Sequence, residues 1–187
     1  MEVVTIDRNL ENLKQRLHTE RPVPWEQFPD IDLYMDQVLS YMPRQQVASD
    51  GDDQLTASMV NNYIKEGVLA HANGKKYTRE HLAFLTAISH LKRVLSVKDT
   101  GLLLRLASVD EAVEPFYTAY ASLVDRAFED VLGHLPDAED TRALAETALR
   151  LAVTSYANQI ACQRLLDLMR EEAPAPQKRP RKKSPEE

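Results

Sequence analysis

Apolar residues recur every three or four positions along most of the chain, which is the spacing of one face of an α-helix. This pattern predicts seven helices, at about 4–20, 31–42, 56–66, 78–95, 96–106, 109–135 and 137–171. Side chains that suit the N-cap position precede four of them: Asp30, Thr56, Thr78 and Ser96. We therefore expect an all-α fold.

Proline, glycine and turn-forming residues separate these helices. Residues 21–29 contain three prolines together with Trp25 and Phe28, which predicts an extended strap held by the two rings. The polar run 44–54 predicts a loop, and its clustered aspartates do not follow the order of an EF-hand calcium site. Asn73 and Gly74 form a tight-turn signal, which predicts a small hairpin across 68–77.

The two long helices after residue 108 carry apolar residues on two neighbouring faces. Pro115 is expected to kink the first helix. In the second helix, one stripe contains Leu144, Ala148, Leu151, Cys162, Leu165 and Met169, and another contains Ala145, Leu149, Ala152, Tyr156 and Ile160. One stripe is enough to pack the helices as a long antiparallel hairpin, and the second stripe needs either the rest of this chain or another copy of it. We therefore predict a homodimer through this region.

These elements predict four regions along the chain. They are an N-terminal helix at 1–21, a central domain at 22–107, the helical hairpin at 108–172 and a basic tail at 173–187. The tail is rich in proline and has no apolar spacing, so we expect it to be disordered.

Composition and charge narrow the function. The 187 residues include 5 glycines and a single cysteine, which leaves no intrachain disulfide and no cysteine-based zinc site. No segment has the length and apolarity of a membrane span, and we expect a cytoplasmic protein. The net charge is -6, with 13 acidic and 5 basic groups in 106–172 and 5 basic and 2 acidic groups in the tail. Any contact with nucleic acid must therefore be local.

The helix at 56–66 has the properties of a DNA-reading helix. Its apolar residues would face inward and its polar residues outward, where amide and ammonium groups can reach base edges and phosphates. The hairpin that follows adds further cations. The candidate DNA-binding residues are Thr56, Ser58, Asn61, Asn62, Lys65, Lys75, Lys76 and Arg79.

Two segments of this region resemble known families. Residues 55–69 (LTASMVNNYIKEGVL) and 76–82 (KYTREHL) are similar to the recognition helix, wing and following helix of MerR-type winged-helix regulators. Residues 24–26 (PWE) and 29–38 (PDIDLYMDQV), together with Asn61, Asn62 and Tyr63, resemble a bacterial family called domain of unknown function 1836. The resemblance covers about 22–106. It implies a DNA-binding domain. The likeness to MerR-type regulators implies that this domain is a winged helix-turn-helix that binds double-stranded DNA and regulates transcription.

Two other classes of function compete with this interpretation. An enzyme is not expected, because the chain has no glycine-rich phosphate loop, no Gly-x-Ser-x-Gly and no histidine pair at i, i+4. We likewise expect no cofactor and no metal, and the sequence identifies no effector. A helical protein-interaction module with a degenerate winged helix remains open, since the acidic region 106–172 would repel DNA.

Overall fold

The computed structural model describes residues 2–47, 54–108, 112–137 and 140–172, and side chains from residue 8 to residue 171 within these ranges. The described residues form seven helices: α1 (Glu2–Thr19), α2 (Met35–Tyr41), α3 (Ala57–Lys65), α4 (Arg79–Leu91), α5 (Val97–Ala107), α6 (Val113–Leu132) and α7 (Thr141–Glu172). Two short strands, β1 (Leu33–Tyr34) and β2 (Lys76–Tyr77), complete the fold. The prediction of a mainly helical protein is confirmed. The aspartates at 50, 52 and 53 and the basic tail at 173–187 lie outside the described residues.

Local start and stop signals define the central helices. The Thr56 hydroxyl accepts a hydrogen bond from the Met59 amide at 3.2 Å, and the Ser96 hydroxyl accepts one from the Asp99 amide at 3.1 Å. Gly67 ends α3 in the left-handed region, with φ 71°, which L side chains rarely adopt. These predicted helix ends are confirmed.

Asp30 does not cap a helix, contrary to the prediction. Tyr34 is the N-cap residue of α2, and the Gln37 side chain accepts a hydrogen bond from the Tyr34 amide at 2.9 Å. Ile31, predicted to lie on the apolar stripe of this helix, is 69% exposed. Asp30 instead forms an ion pair with Arg79 at the start of α4.

The small sheet differs from the predicted hairpin. Asn73 and Lys76 exchange backbone hydrogen bonds of 2.9 and 3.1 Å around the predicted turn, where Gly74 has φ 65°. However, β2 pairs antiparallel with β1, which aligns Leu33 with Tyr77, rather than with residues 68–72. The turn prediction is confirmed, and the prediction of its strand partner is wrong.

The hydrophobic core is centred on α4. Leu82, Leu85 and Ile88 of this helix are at most 1% exposed. The strap at 21–29 closes one side, because the Phe28 ring lies 4.9 Å from the Tyr117 ring and the Tyr117 hydroxyl donates to the Val23 carbonyl at 2.7 Å. The strap and α6 therefore belong to the same core as α4.

The two C-terminal helices have different partners. α6 makes its main helix contacts with α1 and α4, including a stacked pair of Phe116 and Phe84 with ring centroids 5.6 Å apart. α7 instead contacts α5, and Arg170 of α7 pairs with Asp99 of α5. Leu166 of α7 is fully buried. The predicted antiparallel hairpin is thus not confirmed.

Pro115 occupies the first turn of α6, which begins at Val113 rather than near residue 109. An amide in the first turn has no helical acceptor, so proline removes no hydrogen bond there. The reason for the expected kink is therefore absent. Among the described helices, none combines the length and the apolarity needed to cross a bilayer.

Candidate nucleic-acid interface

Helix α3 has one face fixed in the core and one face exposed. Val60 is 0% exposed and Tyr63 is 3% exposed, and both belong to the core around α4. The opposite face carries four exposed polar side chains: Ser58, Asn61, Asn62 and Lys65. In the described ranges, these four side chains form no hydrogen bond and no ion pair. The inward and outward faces predicted for this helix are confirmed.

The two ends of α3 are held in place by backbone and packing contacts. At its start, Thr56 uses its hydroxyl oxygen as the helix cap. At its end, the amides of Val68 and Leu69 both donate to the Tyr63 carbonyl, at 2.9 and 3.2 Å. Val68 then packs against α5 so closely that a Cβ on Gly101 would lie 2.8 Å from its Cγ2 atom. The helix consequently has a defined position on the body of the protein.

The turn at 73–76, together with β1 and β2, forms what we call the wing. Lys75 and Lys76 are exposed on it, and the Lys76 ammonium lies 5.3 Å from the centre of the Tyr34 ring. Tyr77, one residue further along, is buried and meets the His81 ring edge-on at 5.5 Å. The wing is therefore anchored in the core while its two lysines face solvent. Helix α2 contacts both α3 and β2, which joins the predicted helix and wing residues on one support.

Arg79 has a different position from the other candidate residues. Its guanidinium pairs with Asp30, donates to the Phe28 carbonyl at 3.4 Å and lies 5.5 Å from the centre of the Trp25 ring. These contacts fasten the strap to α4. Arg79 is thus half-buried and engaged within the protein, whereas Lys65, Lys75 and Lys76 are exposed.

Tyr34 lies beside the wing lysines but is not among the candidate DNA-binding residues. Helical spacing predicts it on the apolar side of the helix at 31–42, whereas it is 49% exposed and its ring lies beneath Lys76. The neighbour that brings Tyr34 to the wing lies 42 positions away, in the Tyr34–Lys76 strand pair. No local pattern could have found this contact.

The family described as Domain of unknown function (DUF1836) matches residues 23–123. The chain belongs to this family. The DUF1836 region begins at the strap, contains α3 and the wing, and ends within α6. Its end lies beyond the domain boundary expected near residue 107, and Phe116 and Tyr117 of α6 belong to the same core. No curated protein and no solved structure matches the chain.

The DUF1836 region also contains a partly buried polar network that links α4 and α6. The His90 Nε2 atom lies 2.7 Å from the Gln45 carbonyl, so it must carry a hydrogen and donate. The Nδ1 atom of the neutral ring then accepts from the Tyr120 hydroxyl at 2.9 Å. Burial lowers the pKa of His90. Burial therefore favours the neutral form of this histidine, with its proton on Nε2.

Proposed function

We propose that the protein binds double-stranded DNA through α3 and the wing, in a MerR-like winged helix-turn-helix arrangement, and that it regulates transcription. The observation that carries this proposal is the contrast between the two faces of α3. Its apolar side is locked into the core, while Ser58, Asn61, Asn62 and Lys65 project outward with no partner in the described part of the chain. A short, rigidly held helix with such a face suits the major groove.

The residue types on this face have specific uses. An asparagine amide can pair with the N6 and N7 atoms of adenine, and a lysine can donate to guanine or to a phosphate. Lys75 and Lys76 on the wing would neutralise phosphates beside the groove. The Tyr34 ring supports this role, because its cation–π contact with the Lys76 ammonium keeps that charge at the exposed side of the wing.

The charges on and around this surface favour DNA binding of limited affinity. The exposed carboxylates Glu66 and Glu80 lie close in sequence to the three exposed lysines. The chain as a whole carries a net charge of -6. Binding should consequently depend on a few cations and fall steeply as salt is added.

The test is a salt titration of the purified protein against a random duplex and against duplexes selected from its own genome, read by fluorescence anisotropy. The double variant Lys75→Glu, Lys76→Glu should abolish selective binding at moderate salt. Single Lys75→Ala and Lys76→Ala variants should each lower the slope of log affinity against log salt by about 0.9, the value of one phosphate contact. Asn61→Ala should instead reduce the preference for the selected duplex and leave the salt slope unchanged.

A matched control reverses two charges elsewhere. Lys92 follows α4 at the end opposite the wing, about 20 Å away at 1.5 Å per residue, and Arg126 lies on α6. Lys92→Glu, Arg126→Glu changes the net charge by the same amount and should retain selective binding. If both double variants lose selective binding equally, only the total charge matters. That result would refute the proposal that α3 and the wing form the DNA-binding surface.

A helical protein-interaction module is the second candidate. It is favoured by the apolar side chains exposed along α7, among them Leu149 and Tyr156 at 66% and 65% exposure. Absence of any duplex binding at low salt, in protein with an intact circular dichroism spectrum, would support this candidate instead.

A further inference from the structure

The middle of α7 carries an apolar stripe that nothing in the described chain covers. Leu149, Val153, Tyr156 and Ile160 are 66%, 58%, 65% and 46% exposed. Their spacing of four, three and four residues places them on one face of the helix. We call these four residues the α7 stripe.

The α7 stripe lies opposite the side that faces the rest of the chain. The inner side contains half-buried or buried residues: Leu144, Leu151, Cys162, Leu166 and Met169. At 3.6 residues per turn, the two sets are separated by about 150° around the helix axis. The intramolecular packing of α7 therefore leaves the stripe free to meet another surface.

We propose that the α7 stripe is the interface of a homodimer in which two α7 helices pack antiparallel. The stripe is self-complementary in this orientation, because its four-three-four spacing reads identically in both directions. A two-fold axis between residues 154 and 155 sets Leu149 against Ile160 of a second copy, and Val153 against Tyr156. Closed two-fold dimers use the same patch on both subunits in this way.

Charge beyond the two ends of the stripe favours the antiparallel orientation. Arg142 and Glu146, which pair with each other, precede the stripe on the same line of the helix. Half-buried Gln163 and Asp167 follow it, and Asp167 pairs with Arg164 and Arg170. An antiparallel pair sets Arg142 against Asp167 and Glu146 against Gln163. A parallel pair in register would set Arg142, Glu146 and Asp167 each against its own copy, which places like charges together in three layers.

The exposed area fits a small but specific interface. Each side chain of the stripe offers roughly 100 Å² at these exposures, which amounts to about 800 Å² over two protomers before the flanking residues are added. Ala152 and Ala157 flank the stripe and let the two backbones approach. Specific interfaces bury upward of about 1,200 Å², so this one belongs at the small end and should dissociate at micromolar concentration.

Sedimentation velocity of the full chain over about 1 to 100 µM tests the interface. The wild-type protein should shift from the 21.2 kDa chain to twice that mass. Val153→Glu, Tyr156→Glu places four carboxylates at the centre of the interface and should remain monomeric. The matched control Thr154→Glu, Asn158→Glu adds the same charges on the far, exposed side of α7 and should still dimerise. A monomeric wild type, or a dimer that survives Val153→Glu, Tyr156→Glu, would overturn the proposal.

Cross-linking tests the orientation separately, in a Cys162→Ala background. Leu149→Cys protein mixed with Ile160→Cys protein should form a disulfide, because these positions face each other across the antiparallel pair. Leu149→Cys protein alone should not, since its two copies would lie about 17 Å apart along the axis. Efficient cross-linking of Leu149→Cys to itself would refute the antiparallel arrangement. Neither experiment involves DNA, so their outcome is independent of the function proposed for α3.

Discussion

Replacing Leu166 by alanine should release the C-terminal end of α7 from α5. Leu166 is fully buried, and truncation of a buried leucine costs about 2–5 kcal/mol. Between α5 and α7, Arg170 also forms an ion pair with Asp99, and the two side chains are 43% and 12% exposed. A pair that is partly solvated contributes about 1 kcal/mol or less. Leu166 should therefore contribute more than this ion pair to the free energy that holds this end of α7.

Hydrogen exchange of the backbone amides, read by mass spectrometry, measures this effect. A local loss of about 3 kcal/mol corresponds to roughly a 100-fold faster exchange in the last turns of α7, since 1.4 kcal/mol is a factor of ten. Amides of α4 should keep their protection, because Leu82 and Leu85 are untouched. Leu168→Ala is the matched control on the same helix. Leu168 is 59% exposed, so its truncation should accelerate exchange less than about fivefold.

Two results would refute this reasoning. Unchanged exchange at 162–172 in Leu166→Ala would mean that the contact with α5 does not hold α7. Equal acceleration in α4 and α7 would mean that the helix and the core open together, as one cooperative unit.

Two further predictions concern glycine positions and pH. Gly101→Ala should lower the free energy of unfolding by about 1–3 kcal/mol, because the new Cβ would lie 2.8 Å from Val68 Cγ2. Gly133→Ala should raise it by about 0.5 kcal/mol, because its nearest neighbour is at 3.5 Å and its φ is -62°. Urea denaturation measures both free energies, and equal changes in the two variants would contradict this prediction. Burial lowers the pKa of His90 below 6.5, so below that pH the unfolded chain binds more protons than the folded one and stability falls. The urea midpoint should drop between pH 7.5 and 5.5, and His90→Gln should show a smaller drop; an identical drop would assign the effect to other groups.

The parts of the fold that follow local rules could be predicted from the sequence. Thr56 and Ser96 cap helices because their hydroxyls reach an amide three residues ahead, and Gly67 ends α3 because it tolerates a positive φ. The two faces of α3 follow from helical spacing alone. These signals need no knowledge of the rest of the chain.

Long-range pairings could not be predicted in the same way. Asp30 suits a helix cap, yet Arg79, 49 positions away, recruits it into an ion pair. The strands β1 and β2 have two residues each, too few to show an alternating pattern. An apolar stripe likewise shows that a face needs a partner without identifying it. Spacing alone pairs α6 with α7, whereas α6 packs on α1 and α4.

Contacts of α5 link the two proposed surfaces, the α3 face and the α7 stripe. Asp99, in the first turn of this helix, holds Arg170 of α7, and Gly101 receives Val68, whose amide bonds to the last turn of α3. A dimer through the α7 stripe would therefore set the separation of the two α3 helices through contacts of α5. Two recognition helices on one face of a duplex must be spaced by about 34 Å or a multiple of it. The same α5 contacts would then decide which spacing between DNA half-sites the dimer accepts. Gly101→Ala, whose new Cβ would push on Val68, should therefore change the preferred half-site spacing while the protein still binds DNA.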